Sequence, residues 1–289
     1  MNGILLVDKP SGWTSNDVVC KLKGVLHERR TGHSGTLDPM ATGLLPVFVG
    51  KATKAVEFAE KDRKTYIAGI VFGIVTDTQD ITGNILSECE CDISQEEFLK
   101  ASADFIGDIR QIPPMYSALK HNGRRLYDLA RKGMEVERPP RDITVYDISL
   151  LEKQEKGFLF SVSCSAGTYV RTLCHDIGQK LGCGASMSSL RRTECGLFRV
   201  ENAYTLEQIQ IYASEGRAEE LLLKTESLFD EIPRYICTLD EERMIKTGRS
   251  FSTVLTDGRY RVVSSSGEFL MLATAENNTL RSVKNFFEV

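Results

Sequence analysis

The spacing of apolar and polar positions predicts that strands and helices alternate along the chain. Residues 3–7 form a short apolar run that predicts a strand, and the sequence from Lys9 to Gly12 is typical of a turn. Thr14, followed three residues later by Asp17, resembles a helix-capping box. The apolar positions after it fall on one helical face: Val18, Val19, Leu22, Val25 and Leu26. The chain therefore opens with a strand, a turn and an amphipathic helix.

The same periodicities predict further elements downstream. The predicted strands cover residues 64–75, 143–151 and 158–165, and the predicted helices cover residues 94–107, 169–181 and 205–214. Glycine and proline are frequent between residues 31 and 50, which predicts a loop there rather than a helix or a long strand. After Tyr235, short apolar runs are interrupted by turn sequences and predict β structure.

This irregular order of elements predicts an α+β fold, in which a mixed, mostly antiparallel sheet has flanking helices. The chain has 289 residues, of which 42% are hydrophobic, and this is enough to fill a large core. We expect a main domain over residues 1–232 and a small β-rich C-terminal domain over residues 233–289.

Composition excludes several classes of protein. No apolar run approaches the roughly 18 residues that cross a bilayer, so we expect a cytoplasmic protein with no membrane partner. The eight cysteines are scattered without a C-x-x-C pair, and the four histidines form no H-x-x-x-H pair, so no metal site is predicted. The phosphate-binding glycine motifs of nucleotide sites are also missing. We therefore expect chemistry by ordinary side chains, without metal or cofactor.

Charge is segregated along the chain, although the net charge is only −4. Residues 120–141 carry seven Lys or Arg against three Asp or Glu, whereas residues 201–242 carry three against eleven. Both stretches are compatible with ordinary solvated faces. The basic stretch is also suited to phosphate contacts, with Lys120 and Arg124 as candidates.

Asp38 is the first candidate for chemistry. It lies in the glycine-rich sequence G-H-S-G-T-L-D-P-M-A-T-G, immediately before a proline that restricts its backbone. A carboxylate held in this way suits nucleophilic or electrostatic catalysis, although an Asp-Pro pair is also a common structural turn.

Two other side chains are candidates for the same site. Arg171 follows a predicted strand in the first turn of a predicted helix, where its guanidinium could grip a carboxylate through two hydrogen bonds. Tyr66 begins another predicted strand and could stack on a base and move a proton. Taken alone, the first is equally compatible with a surface arginine and the second with a core tyrosine.

Taken in order, these segments resemble the bacterial tRNA pseudouridine synthases of the TruB type, which act on the uridine at position 55 of the T loop. The resemblance covers most of residues 3–200. It rests on the Lys9-Pro10 turn, the loop around Asp38, Lys64-Thr65-Tyr66, the segment 113–118, the segment 167–173 and Leu190-Arg191-Arg192-Thr193.

The resemblance implies a set of roles. Asp38 is then the essential aspartate, Arg171 pairs with it, and Tyr66 lies against the target base. It adds His33, Leu190 and Lys9 to the substrate-binding group, with Lys9 supporting the active-site loops. The basic stretch adds Lys120 and Arg124 to the same group. The resemblance also implies the pseudouridine synthase fold, a PUA-like C-terminal domain, tRNA as the partner, and a monomer that needs no cofactor and no protein partner.

The expected reaction breaks the bond from N1 of uracil to C1′ and joins C5 to C1′. Asp38 attacks C1′, attacks C6 or removes the C2′ proton, and the sequence leaves these routes open. Arg171 is expected to lower the pKa of Asp38 against the effect of burial. The alternatives are an RNA-folding protein in which catalysis is secondary, and a hydrolase that releases free uracil.

Overall fold

The computed structural model describes residues 1–59 and 63–287. The helices are α1 Ser15–Val25, α2 Val56–Ala59, α3 Gln95–Ala103, α4 Leu126–Ala130, α5 Val170–Lys180, α6 Leu206–Ser214 and α7 Leu239–Lys246. Short 3₁₀ turns cover Gly50–Ala55, Val200–Asn202, Ala218–Leu221 and Thr225–Phe229. The strands are β1 Gly3–Lys9, β2 Thr31–His33, β3 Thr42–Val49, β4 Lys64–Phe72, β5 Ile74–Thr76, β6 Ile85–Glu88, β7 Gly107–Gln111, β8 Lys120–His121, β9 Arg124–Arg125, β10 Arg141–Gln154, β11 Gly157–Cys164, β12 Ala185–Cys195, β13 Phe198–Arg199, β14 Leu222–Leu223, β15 Arg234–Ile236, β16 Phe251–Ser252, β17 Gly258–Val263, β18 Phe269–Glu276 and β19 Thr279–Asn285.

In the part of the chain that the structure describes, ten strands form one large sheet. Its main order is β14-β1-β3-β12-β4-β11-β10-β7, with β2 paired to β3 and β13 to β12. The pairing of β3 with β12 is parallel and the other pairings are antiparallel. The predicted mixed, mostly antiparallel sheet is therefore confirmed.

Helices cover this sheet because each has one apolar face. The largest core cluster lies where α3 and α5 pack on β4, β10, β11 and β12. A second cluster lies under α1 and α6 and includes Leu5 and Val7 of β1. Ile4 and Leu6 alternate with these residues and belong to a cluster on the opposite face of β1. The continuous apolar run of β1 thus reflects burial on both faces.

Only residues 34–41 of the segment 31–50 form the loop that the sequence predicts. Thr42–Val49 is a strand that is almost entirely buried, and it lies between β1 and β12. Its interior proline fits because the Pro46 carbonyl accepts a hydrogen bond from the Ser34 nitrogen, just beyond the end of β2. The Pro46 nitrogen faces the same side, where β2 no longer requires a ladder donor.

The C-terminal residues form a second sheet of five strands, in the order β15-β17-β18-β19-β16. This confirms the small β-rich domain, although α7 lies within it and was not predicted. Its Leu272 and Phe286 belong to the same core cluster as Ile4 and Phe48 of the large sheet. The two sheets are therefore packed together through shared apolar contacts.

Among the described residues, no helix has both the length and the apolar content that crossing a membrane requires.

Candidate active site

One cavity of about 430 Å³ brings together most of the side chains that the sequence singles out. Its wall is built from the loop between β2 and β3, the start of β4, the loop before β8, the start of α5 and the middle of β12. The lining residues are His33, Gly35, Thr36, Leu37, Asp38, Lys64, Tyr66, Ser117, Ala118, Leu119, Gly167, Thr168, Tyr169, Val170, Arg171, Leu190 and Arg192.

Asp38 and Arg171 form a two-point ion pair at this cavity, although they lie 133 positions apart in the chain. Arg171 Nε lies 2.8 Å from Asp38 Oδ2, and Arg171 Nη2 donates to Asp38 Oδ1 at 3.1 Å. The arginine side chain is only 5% exposed, whereas the aspartate side chain is 34% exposed. The guanidinium is therefore enclosed, and the carboxylate that it orients faces the opening.

Two further hydrogen bonds from the guanidinium of Arg171 go to backbone carbonyls and hold the side chain in place. Nη1 donates to the Thr78 carbonyl at 3.0 Å and Nη2 to the Tyr116 carbonyl at 2.8 Å. Asp80 Oδ2 lies 3.6 Å from Nη1, and its side chain is nearly as buried as that of Arg171. Arg171 thus contacts two carboxylates, of which Asp80 is the buried one.

Backbone contacts hold the Asp38 loop in place. Ser15 Oγ accepts from the Leu37 nitrogen at 2.9 Å and lies 3.2 Å from the Leu37 carbonyl, to which it donates. The Ala41 nitrogen donates to the Asp38 carbonyl at 3.1 Å, which closes a turn around Pro39. The start of α1 and a local turn therefore position the residue that carries the carboxylate.

Lys9 lies behind this loop rather than on the cavity wall. The residue is 0% exposed, and its ammonium donates to the carbonyls of Pro10, Trp13 and Pro39 at 2.9, 2.6 and 3.2 Å. Burial lowers the pKa of Lys9 to about 8. Lys9 is therefore placed to support the loops, the role that the family resemblance implies for this member of the substrate-binding group.

Burial raises the pKa of the Asp38 carboxyl and outweighs the opposing charge of Arg171. Asp80 acts in the same direction as burial because its negative charge disfavours a second carboxylate nearby. Arg171 lowers the pKa as expected from the sequence, but the net direction is upward. The site therefore combines a precise grip on the carboxylate with a local environment that makes its ionisation less favourable.

Tyr66, His33 and Leu190 line the same cavity. Burial raises the pKa of Tyr66 to about 12, so its phenol is protonated at neutral pH. Burial, assisted by the charge of Arg192, lowers the pKa of His33 and favours the neutral imidazole. The cavity wall therefore contains the uncharged rings of Tyr66 and His33. The aliphatic side chain of Leu190 lies in the same wall, as does the Asp38–Arg171 pair.

Lys120 and Arg124 lie outside the cavity, on the exposed β8–β9 hairpin. Asn122 and Gly123 form its turn, with φ of 50° and 79°. This is the left-handed conformation that an Asn-Gly hairpin turn requires. Ser117 to Leu119, which line the cavity, immediately precede the hairpin, so the basic side chains continue outward from the site.

Two buried residues at the site were not assigned a role from the sequence. Asp80 lies in the polar run between β5 and β6, which reads as an ordinary turn, and only the contact with Arg171 marks it out. Arg192 sits on β12 directly opposite Tyr66 of β4. A double arginine suggests a surface, yet Arg192 is fully buried.

Within the described ranges 1–59 and 63–287, no three His, Cys, Asp or Glu side chains are grouped so that they could hold a metal ion.

Comparison with known proteins identifies the family. Residues 23–170 match the N-terminal domain of TruB family pseudouridylate synthase, and residues 171–230 match the tRNA pseudouridylate synthase B C-terminal domain. The chain belongs to the TruB family of pseudouridylate synthases. The resemblance seen in the motifs is thereby confirmed.

Relatives of this TruB-family chain are similar over most of their length. A protein of Clostridium novyi (strain NT) named tRNA pseudouridine synthase B is 40% identical, with 98% of this chain and 99% of the relative covered. A protein of the same name from Syntrophotalea carbinolica (strain DSM 2380 / NBRC 103641 / GraBd1) is 47% identical, with 82% and 78% covered.

Solved structures show the same architecture. The Cbf5-Nop10-Gar1 complex contains a chain that is 26% identical, with a TM-score of 0.75 and coverage of 99% of this chain and 85% of that one. An H/ACA RNP bound to a substrate RNA containing 2′-deoxyuridine contains a chain that is 25% identical, with a TM-score of 0.74 and coverage of 99% and 85%.

The two family segments of this TruB-family chain are not separate folding units. β12 belongs to the second segment, but it lies in the sheet between β3 and β4 of the first. Tyr66 and Leu190 therefore come from different segments and meet on adjacent strands of one wall.

Proposed function

We propose that this chain isomerises uridine to pseudouridine in tRNA, at position 55 of the T loop. The observation that carries the proposal is the two-point Asp38–Arg171 pair, which opens into a cavity of about 430 Å³ beside Tyr66. The volume lies in the range of roughly 300–1,000 Å³ that small-ligand pockets occupy. The name shared by the relatives supports tRNA as the substrate.

In this proposal Asp38 is the catalytic carboxylate and Arg171 fixes its direction. Tyr66 lies against the flipped uracil and, as a protonated phenol, takes part in proton movement. Leu190 packs beside the base, and His33 fills the space that the uridine leaves in the RNA. Removing a base from its stack costs a few kcal/mol, which stacking, hydrogen bonds and phosphate contacts offset.

RNA outside the cavity contacts the β8–β9 hairpin, where Lys120 and Arg124 meet phosphates. Their exposure and their position next to cavity-lining residues support this role. We assign residues 1–232 to the catalytic domain and residues 233–289 to a PUA-like RNA-binding domain, on the basis of the separate five-stranded sheet. The acidic residues 201–242 face away from the RNA.

The chain acts as a monomer in the cytoplasm, without an obligatory protein partner. The Asp38–Arg171 pair, Tyr66 and Leu190 all come from this chain. All eight cysteines are free thiols, as expected in a reducing compartment.

The decisive experiment compares wild type with Asp38→Asn on a tRNA transcript. Pseudouridine is detected by carbodiimide labelling and primer extension, and RNA affinity is measured in parallel. We expect modification at position 55 by the wild type, no modification by Asp38→Asn, and affinities within a few-fold because the variant keeps the shape of the side chain.

Three other results would contradict the proposal. Release of free uracil identifies a hydrolase. Modification only at a uridine other than position 55 overturns the assigned site. If Asp38→Asn still forms pseudouridine, the assignment of the carboxylate is wrong. An RNA-folding role that is independent of catalysis predicts that Asp38→Asn restores misfolded tRNA as well as the wild type does.

A further inference from the structure

Arg192 is a fully buried cation at the cavity that the proposed mechanism leaves without a role. The residue is 0% exposed and forms part of the cavity wall. It lies on β12, directly opposite Tyr66 on β4, so the two side chains are cross-strand neighbours. Its position is therefore fixed by two central strands of the large sheet.

The contacts of Arg192 do not neutralise its charge. Nε donates to the Leu44 carbonyl at 2.7 Å, and Nη2 donates to the Gly35 carbonyl at 3.0 Å. Among the described residues no carboxylate lies within ion-pair distance of Arg192, whereas Arg171 contacts Asp38 and Asp80. Burying an unpaired charge lowers the stability of the folded chain. The burial of Arg192 therefore calls for a functional explanation.

The uncompensated charge acts on the cavity. Nη1 is covered and meets no acceptor with normal hydrogen-bond geometry, although the Tyr66 hydroxyl is near enough to the guanidinium for an interaction that lowers the pKa of Tyr66. Arg192 lowers the pKa of His33 and opposes the effect of burial on the pKa of Tyr66. His33 and Tyr66 both line the cavity, so the positive charge of Arg192 acts on the side where a base would lie.

We propose that Arg192 stabilises the negative charge that develops on the uracil ring during isomerisation. Because Nη1 is covered, Arg192 is an electrostatic residue beside Tyr66 in the cavity wall and not a group in contact with the sugar. This inference rests on the proposed pseudouridine synthase reaction and deepens it.

Each open route places negative charge on the pyrimidine. If Asp38 attacks C1′, the carboxylate–C1′ bond forms and the N1–C1′ electron pair stays with the base. If Asp38 removes the C2′ proton, a C1′–C2′ double bond forms and the same pair stays with the base. If Asp38 adds to C6, the C5–C6 π pair moves towards O4. C5 then joins C1′ as the carboxylate–C1′ bond breaks in the first route, and as C2′ takes back its proton and the double bond is lost in the second. In the third route the N1–C1′ bond breaks, C5 joins C1′, and the carboxylate then leaves C6. In every route the C5 proton leaves and N1 takes up a proton.

A fixed positive charge in a site that excludes water stabilises such an anion more than it stabilises the neutral uridine. Arg192 should therefore contribute little to the affinity for unreacted RNA and much to the rate of the chemical step. This separates the proposal from a purely structural role, in which loss of the Gly35 and Leu44 contacts would disturb binding, stability and chemistry together.

The test uses full-length tRNA labelled as [5-³H]uridine, from which tritium is released when C5 loses its proton. Single-turnover rates, RNA affinity and thermal unfolding are measured for Arg192→Gln, Arg192→Lys and the control Arg217→Gln. Arg217 is exposed, pairs with Glu215 and Glu220 in the acidic segment, and does not line the cavity. We expect Arg192→Gln to slow the single-turnover step by about 10²-fold, the lower end of the loss seen when a group that stabilises transition-state charge is removed, because Arg192 acts without direct contact.

The lysine variant distinguishes charge from shape. Arg192→Lys keeps the positive charge but cannot reproduce both backbone contacts, and we expect it to react at least tenfold faster than Arg192→Gln with similar RNA affinity. The proposal is overturned if Arg192→Gln reacts at nearly the wild-type rate, or if Arg192→Lys is no faster than Arg192→Gln. If Arg192→Gln does not fold, Arg192→Lys decides alone: a folded variant with less than a tenth of the wild-type rate overturns the proposal, and a faster one supports it.

Tritium release reports modification at any uridine. A wild-type enzyme that modifies another position would therefore defeat the assignment of position 55, while the comparison of the Arg192 variants would still decide the role of this residue.

Discussion

At the scale of single residues, Arg171 and Asp38 form one ion pair but differ in how far their side chains are buried. Arg171 is enclosed by Asp38, Asp80 and two backbone carbonyls, so its position has little freedom. Asp38 is paired with Arg171, but its side chain remains partly exposed to the cavity. The carboxylate is therefore aimed by its partner while keeping access to a reacting atom.

The raised pKa of Asp38 has a consequence for pH dependence. The ionised carboxylate is the reactive form, so kcat/KM should fall on acidification with a midpoint above the ordinary value of 3.8. In Asp80→Asn the midpoint should move to lower pH, because the Asp80 charge raises the pKa of Asp38. The plateau should also fall, on the order of 10²-fold, because Arg171 is held less firmly.

Asp77→Asn is the matched control for this pH profile. Asp77 lies in the same connection between β5 and β6, but it binds Asn84 and does not contact Arg171. A midpoint in Asp80→Asn that coincides with those of wild type and Asp77→Asn would contradict the assigned coupling between Asp80 and Asp38.

Residue-level prediction from the sequence has a clear limit here. The loop chemistry around Asp38 marks it as a candidate, but its partnership with Arg171 came from the family resemblance, since no local pattern connects positions 133 apart. Asp80 carries no local signal at all. Pairings of this kind depend on the tertiary fold and cannot be derived from spacing along one chain.

At the scale of elements, local signals located the starts of helices well. Thr14, Ser94 and Thr205 each cap a helix through a capping box, as the residues three positions later indicate. The pattern does not identify β3 because a strand buried on both faces lacks the alternation of half-buried strands. It does not identify β12 because most residues of that strand are polar. The Asn122-Gly123 pair is a local hairpin signal, and it marks the turn between β8 and β9.

The contact between α5 and β12 predicts a sensitive glycine. A Cβ added to Gly178 would lie 2.2 Å from the Ala185 nitrogen, which forces the helix away from the sheet. Gly178→Ala should lower the free energy of unfolding by roughly 1–3 kcal/mol and reduce turnover, because Arg171 lies on the same helix. Chemical denaturation and single-turnover kinetics measure the two effects.

Gly24→Ala provides the opposite expectation within the same experiment. Gly24 lies in α1, and no atom lies within 4 Å of its added Cβ. Alanine should therefore raise stability by about 0.5–1 kcal/mol through helix propensity. If the two substitutions change stability equally, close packing of α5 is not the cause.

The β8–β9 hairpin predicts a change in salt dependence. In the double variant Lys120→Gln, Arg124→Gln, the slope of log affinity against log salt should become shallower by about 0.7–0.9 for each lost phosphate contact. The matched double variant Arg217→Gln, Lys224→Gln lies in the acidic segment and should leave the slope unchanged. Equal slopes for the hairpin variant and wild type would exclude these phosphate contacts.

At the scale of the whole molecule, apolar contacts join the two sheets. Phe229, Phe269 and Phe286 form an aromatic cluster, with ring centroids 4.8–5.9 Å apart. Phe229 and Phe286 also belong to the cluster that contains Ile4 and Phe48. The boundary near residue 232 therefore separates two sheets without separating two cores.

This shared core predicts coupled unfolding. Phe286→Ala should destabilise the chain by about 3–5 kcal/mol, the usual cost of truncating a buried phenylalanine. Trp13 is the single tryptophan of the chain. The unfolding transition followed by its fluorescence should move to lower denaturant concentration, together with the transition followed by far-ultraviolet circular dichroism. Val254→Ala, at a fully exposed position, should change neither signal.

A Trp13 transition that stays in place while the circular dichroism loses a separate early phase would show that the C-terminal sheet unfolds independently. In that case the contacts through Phe286 would not couple the two sheets.

The place of β12 also dictates when the molecule can be completed during synthesis. β3 and β4 leave the ribosome long before residues 185–195, yet β12 lies between them in the sheet. The nascent chain must therefore keep the facing edges of β3 and β4 unpaired until its late segment emerges. Until then the unpaired edges are open to chaperones and to misassociation.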